Sequence, residues 1–376
     1  MPCRRSPSKW VTETMKTIPL AEPWIGKELG DAVARQVASG FLGPGPTTRD
    51  FGQALADLAG VPYCVPTVSG TMAITVAAQA LELPRGAEIL VPAYGVISTI
   101  NALASWGYAP RLVEIDRKTA CMDPERLIKA MGPKTAAVCF VNFSGRTGPE
   151  LLEIADICRQ RSLPLIEDAA CAMGHKIDGH SAGSIGMVGI YSFSVPKVVT
   201  TGQGGAVLAK TEQHRDGALR AIDHGDTAWR QTNLNRGIGN NLRFNDVLSA
   251  LGMAQLANLE ERLTRRRKNH TAMRAVLGEH LHAVCGDEAP LHNVVFSTMP
   301  EQLVQHLRGQ GILAAQQYRA IYQHPPYSQL QDGDYPHSEF WTRHAVYLPF
   351  GTGMDIEQAT RVAQAVRESN FPLLVP

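Results

Sequence analysis

The chain lacks most of what would commit it to a structural metal, a disulfide framework or a membrane. Its 7 cysteines are odd in number. Cys3, Cys64, Cys121, Cys139, Cys158, Cys171 and Cys285 form no CxxC pair, so neither a zinc ribbon nor a bridged scaffold is supported. Most sit in apolar runs such as Ala137 to Phe140, where a reduced, buried thiol is the ordinary state. His175, His180 and His324 have no ligand spacing, so no metal is expected. No window approaches about 18 apolar residues without charge, which excludes a membrane helix. Met1 to Lys16 is basic but has no apolar run of the signal-peptide kind, and a cytoplasmic protein is expected. Net charge is nearly absent: 36 Lys+Arg against 35 Asp+Glu leave +1. That balance draws in no polyanion, and no nucleic-acid partner is expected. No GxGxxG opens a strand–helix unit, so the nicotinamide-dehydrogenase fingerprint is missing.

What is present is a globular α/β pattern. The 376 residues are 44% hydrophobic and 19% charged, with 34 Gly and 24 Pro. At roughly 150 residues per domain, one large and one smaller unit is the default. After a polar arm, residues 24–40 and 49–58 have helical periodicity around the break Gly43-Pro44-Gly45-Pro46. Short apolar strands then alternate with amphipathic helices. Strands are predicted at 88–92, 111–116, 135–141, 163–167, 188–193 and 206–209, and helices at 72–81, 97–106, 150–161 and after Asp123-Pro124. Nearly continuous apolar strands between helices imply a mainly parallel sheet covered on both faces. From Asp246 one long helical pattern runs through Leu263 into Arg265-Arg266-Arg267-Lys268. Five basic residues in nine between Arg262 and His270 read as a solvated helix face. Weaker strand and helix signals follow to the end. The chain is therefore divided into an arm (1–25), a large domain (26–258) and a small C-terminal α+β domain (259–376).

The chemistry lies between Pro164 and Gly205. One apolar strand ends in Glu167-Asp168, and Lys197 follows another strand in Ser192-Phe193-Ser194-Val195-Pro196-Lys197. Upstream, Ser69-Gly70-Thr71 opens an Ala-rich helix. Each alone is ordinary, a cap or a surface lysine. Together they supply what pyridoxal phosphate needs. A lysine forms the Schiff base, and a buried Asp keeps the pyridine nitrogen protonated so that the ring acts as an electron sink. A helix N-terminus offers unpaired N–H groups to the phosphate.

With these residues in place, the sequence resembles the DegT/DnrJ/StrS-type sugar aminotransferases, fold type I pyridoxal-phosphate enzymes. The resemblance runs over nearly the whole chain. It passes through Ile18-Pro19-Leu20, Ser69 to Ile74, Val91-Pro92-Ala93-Tyr94, Ile166 to Ala170, Ser192 to Lys197 and Thr201 to Gly205. It continues through His224-Gly225, Gly239-Asn240-Asn241-Leu242-Arg243 and Tyr347-Leu348-Pro349. It implies a large domain with a mixed, mainly parallel seven-stranded sheet and a smaller α+β domain. It also implies that Lys197 holds the cofactor and shuttles a proton, that Asp168 pairs with the ring nitrogen, and that Ala170 lies against one ring face. Gly70, Thr71 and Ser192 would bind the phosphate. Asn241 would reach the phosphate from the neighbouring subunit of a homodimer, and Arg243 would anchor the donor carboxylate. The implied reaction is transamination from an amino acid, L-glutamate being expected, to a keto group on a sugar nucleotide, keto-sugar or keto-cyclitol.

The sequence departs from the pattern at four positions. Val96 stands where an aromatic ring usually stacks on the cofactor. Cys171 stands where Gln, His or Glu is usual, beside cofactor or substrate. Ser194 replaces a histidine, and Tyr322 occupies a loop in which it is expected to meet substrate. Two rival functions remain in the sequence: another pyridoxal-phosphate chemistry, such as dehydration, epimerisation or oxidation, and a non-catalytic cofactor-binding regulator. Lys197 counts against the dehydratases, which carry His there. An intact Asp168, Ser192 and Lys197 count against the regulator.

Overall fold

A computed structural model describes residues 17–282 and 289–375. Cys3 and Cys285 lie outside them. The central sheet has seven strands: β1 (Tyr63–Thr67), β2 (Glu88–Pro92), β3 (Ala109–Val113), β4 (Thr135–Val141), β5 (Leu165–Asp168), β6 (Val188–Ser192) and β7 (Gly205–Ala209). Their spatial order is β1-β7-β6-β5-β4-β2-β3. Only β7 runs against the rest: it pairs antiparallel with β1 and β6, while all other neighbours are parallel.

Alternation along the strands buries both faces. Ile89 and Val91 of β2 and Cys139 of β4 join one apolar cluster with the helix Gly70–Ala80. Leu90, Val138 and Phe140 turn the other way, onto Leu151 and Ile154 of the helix Pro149–Gln160. Side chains of successive strand residues point to opposite faces, so such a run needs cover on both sides. Alanines at 73, 77, 78 and 80 keep the first helix close to the sheet.

The C-terminal part builds on a three-stranded antiparallel sheet in which β8 (Asn293–Ser297) lies between β9 (Ala345–Leu348) and β10 (Leu373–Leu374). The helices Leu259–Leu277 and Ile356–Glu368 share its apolar cluster through Met273, Leu277, Val362 and Val366. Asp355 caps the second helix with a reciprocal capping box to Gln358.

Two expectations need correction. The helical pattern from Asp246 is two helices, Asp246–Leu256 and Leu259–Leu277, broken at Asn258 (φ −115°, ψ 22°). The buried Gln255 side chain clamps the end of the first by accepting from the Thr200 amide at 3.0 Å and donating to the Thr200 carbonyl. The basic run is not a solvated face either. Arg262 and Arg266 are buried, the former donating to the Trp24 carbonyl at 3.0 Å with its guanidinium 5.0 Å from the indole centroid. Burial pulls both guanidiniums down to about 10.

Candidate active site

The parallel strands all deliver their C-terminal ends to one edge of the sheet, the edge where open α/β sheets bind ligands. Because β7 runs the opposite way, it brings its first residues to that same edge. A cavity of about 180 Å³ lies there, lined by Gly70, Thr71, Val96, Thr99, Asp168, Ala170, Cys171, Ser192, Ser194, Lys197 and Gly204 among others. Eight of the residues expected from sequence are therefore brought together.

Ser69 caps the helix Gly70–Ala80 by accepting from the Met72 amide at 3.1 Å. The first amides of this helix have no partner within it and face the cavity. Glycine is required in this cradle. A Cβ on Gly70 would come within 2.7 Å of Ser192 Oγ, and one on Gly205 within 2.5 Å of the Ser69 carbonyl. A side chain at either position would force Ser192, or the backbone of Ser69 and Gly70, to shift.

At the other end, Asp168 is 4% exposed. Its carboxylate accepts from the Ala170 amide and from Thr99 Oγ1, both at 3.1 Å. Burial raises its pKa; the Ala170 amide, the Lys197 charge and the Thr99 hydroxyl oppose that rise. The neighbouring Glu167 points to the opposite face, as strand geometry demands. It accepts from the Gly183, Ile185 and Gly186 amides and braces a turn, which accounts for it structurally. Lys197 Nζ enters the cavity from the loop between β6 and β7 and donates to Cys171 Sγ at 3.0 Å.

Three expected residues are not in this cavity. Asn241 is exposed and accepts from Arg243 Nε at 3.0 Å, and Arg243 also pairs with Asp223 at 3.1 Å. Both belong to a segment bridged to β1 through Thr67. Tyr322 is 6% exposed, packs its ring on Tyr335 and donates to Glu339 at 3.4 Å. Within one chain it reaches neither the cavity nor the larger cleft beside it. That cleft, of about 820 Å³, is lined by Gln316, Gln317, Tyr318, Arg319, His324 and Arg343, and Val96 lines both it and the cavity.

Sequence reasoning missed Thr99. A threonine inside a helix has no motif of its own; its position just after the C-terminal end of β2, the same edge as Asp168, was the available signal. It also missed Ser98, Gln203 and Gly204, which line the cavity.

These residues fit pyridoxal phosphate. A buried carboxylate short of partners suits a protonated ring nitrogen, the glycine cradle and helix N-terminus suit a phosphate, and one amine lines the same cavity. The fold is that of a fold type I pyridoxal-phosphate enzyme. Over residues 23–367 the chain matches the DegT/DnrJ/EryC1/StrS aminotransferase family, and it belongs to that family. It is a pyridoxal-phosphate-dependent aminotransferase. A dTDP-4-dehydro-2,3,6-trideoxy-D-glucose 4-aminotransferase of Saccharopolyspora spinosa is 30% identical over 94% of this chain and 96% of its own. Among solved structures, the aminotransferase TlmJ of Streptoalloteichus hindustanus superposes with a TM-score of 0.86 at 25% identity, covering 93% of this chain and 98% of its own. Helicobacter pylori PseC, an aminotransferase of pseudoaminic acid biosynthesis, shares the fold at a TM-score of 0.87 and 23% identity, covering 94% and 99%.

Proposed function

We propose that this aminotransferase moves an amino group from L-glutamate to the keto carbon of a nucleotide-linked sugar, acting in the cytoplasm as a homodimer with shared active sites. The observation that carries the acceptor is a second cleft of about 820 Å³, with Gln, Arg, His and Thr side chains in its lining, that shares Val96 with the small cavity as a lining residue. A free amino acid does not need that room, whereas a sugar with a nucleotide attached does. The sugar-nucleotide aminotransferase of Saccharopolyspora spinosa, similar along almost the whole chain, supports the same reading.

Bound in the cavity, pyridoxal phosphate supplies an electron sink and a carrier for the amino group. The protein's own part follows from the positions given above. Lys197 Nζ takes and returns the proton of the substrate carbon next to the transferred nitrogen. Asp168 holds the proton of the ring nitrogen, with Thr99 and the Ala170 amide fixing its orientation. Gly70, Thr71 and Ser192 would hold the phosphate, Ala170 and Val96 would offer apolar contact to the ring, and Cys171 would line the pocket next to Lys197.

Asn241 and Arg243 are assigned to the partner's site, where the asparagine meets phosphate and the arginine the donor carboxylate. The segment before them supports this, since Leu234 and Ile238 are exposed apolar side chains, the latter at 96%. Tyr322 is assigned a substrate contact only through this assembly. The same reading keeps the arm, large domain and small domain divided near residues 25 and 258.

The test is a two-stage reaction. Loaded enzyme and L-glutamate without acceptor should release one 2-oxoglutarate per active site and then stop. Adding a dTDP-4-keto-6-deoxy-sugar should restart release and give an amino sugar nucleotide by mass spectrometry. Release that never begins removes the donor; release without an aminated sugar nucleotide removes the acceptor.

A further inference from the structure

We propose that Cys171 and Lys197 close a reversible sulfur–nitrogen bond when peroxide reaches the cavity, taking the amine out of service. Lys197 Nζ lies 3.0 Å from Cys171 Sγ, and both side chains line the open cavity. They come from different loops, after β5 and after β6, so the contact is built by the fold rather than by chain proximity.

A second observation marks this thiol. Arg266 is 4% exposed, and its Nε, Nη1 and Nη2 have no hydrogen-bond partner among the described residues. Cys171 lies near enough to that guanidinium to interact with its charge. Peroxide selects cysteines that are accessible and held against basic side chains. The other described cysteines are placed differently. Burial pushes the thiols of Cys64, Cys121, Cys139 and Cys158 up, and none has a lysine amine at hydrogen-bond distance.

The chemistry balances with one peroxide. The Cys171 sulfur attacks one peroxide oxygen, the O–O bond breaks, and the sulfur becomes a sulfenic acid as water leaves. The Lys197 amine then attacks that sulfur. An S–N bond forms, the S–O bond breaks, and a second water carries off the hydroxyl and one amine proton. Thiol, amine and peroxide have become a sulfenamide and two waters, the sulfur oxidised and the peroxide reduced. A dithiol reverses the bond by displacing the nitrogen, at the cost of its own oxidation to a disulfide. Cofactor and sulfur compete for one nitrogen, so a loaded enzyme is protected and an unloaded one is locked until reduced.

Full-length protein, with and without pyridoxal phosphate, is treated with equimolar hydrogen peroxide and digested without reductant. The expected result in the cofactor-free sample is a peptide pair joining Cys171 to Lys197, two hydrogens lighter than the sum of its parts and split by dithiothreitol. Reloading, read from the cofactor's visible absorption band, should fall in step with the cross-linked fraction and return after dithiothreitol. The loaded sample should show little cross-link. In Cys171→Ser, peroxide should leave reloading at that variant's own untreated level. Cys171 recovered as free thiol or as sulfinic acid, with Lys197 unmodified, overturns the proposal. So does an equal peroxide-induced loss of reloading in Cys171→Ser. The peptide map reads the bond directly, so its outcome is separate from whether the acceptor is a sugar nucleotide.

Discussion

The hydroxyl of Tyr94, two residues beyond β2, lies 2.7 Å from the hydroxyl of Tyr347 in β9, and both rings are buried. This hydrogen bond ties the short strand Tyr94–Gly95, which pairs with Arg319–Ala320, to β9 of the C-terminal sheet. Phenylalanine at either position strands the other hydroxyl in an apolar surround, a loss of about 1–3 kcal/mol. Tyr94→Phe and Tyr347→Phe should each lower the unfolding free energy from urea titration by that much. The double variant should lose little more than one single. Additive losses in a double-mutant cycle would show that the pair is not coupled.

Asp168 exchanges stability for function. Burial raises its pKa in the folded, cofactor-free chain. A raised carboxyl contributes fully to stability only below its unfolded value of about 4, and that contribution disappears as pH climbs through the folded value. Asp168→Asn should therefore raise the melting temperature of the cofactor-free protein at pH 7, with the gain shrinking as pH approaches 4. The same variant should retain cofactor poorly and lose turnover. A variant no more stable than wild type at pH 7 would contradict the burial argument.

His175 and His282 impose an opposite acid sensitivity. Both are buried, and desolvation lowers each to about 4 from an ordinary 6.5; the charge of Arg266 adds to the effect at His175 and that of Arg146 at His282. The unfolded chain binds their protons first, so the stability they contribute is complete above pH 6.5 and drains away between 6.5 and 4. That amounts to about 3 kcal/mol per histidine. Denaturant midpoints should fall steeply over this window, and less so in His282→Gln. A flat midpoint from pH 7 to 4.5 is the contrary result.

Shared active sites are tested by mixing. Lys197→Ala and Asn241→Ala should each be nearly inactive, by roughly 10³-fold or more for the lysine. If Asn241 serves the partner's cavity, a heterodimer puts both defects into one site and leaves the other intact. Co-refolded equimolar variants should recover about a quarter of wild-type turnover. No recovery would return Asn241 to its own chain.

That Asp168 and Lys197 come to one cavity could be read from the sequence, because each closes or follows an apolar run short enough to be a buried strand. Ser69-Gly70-Thr71 could be read because small residues before an Ala-rich stretch leave a helix start as the simplest outcome. The reversed direction of β7 could not, since nothing in Gly205–Ala209 distinguishes a parallel strand from an antiparallel one. The burial of Arg262 and Arg266 was also hidden. Whether a charged helix face meets water depends on what packs over it, here Trp24 from a distant part of the chain. The break at Asn258 carries no glycine or proline, and just before it Gln255 accepts from the amide and donates to the carbonyl of Thr200, more than fifty residues earlier.

The reversal of β7 has one more effect. Ser192 and Gly205 are register partners on adjacent strands, so the segment carrying Lys197 leaves and rejoins the sheet at neighbouring points. Both ends are pinned again by the Phe193 amide to the Gly204 carbonyl and the Thr201 amide to the Phe193 carbonyl, each at 2.9 Å. The reacting nitrogen thus hangs on a short leash fastened at both ends to one rigid body. Any change in the C-terminal sheet therefore reaches the Lys197 amine only through the central sheet that holds both ends of its loop.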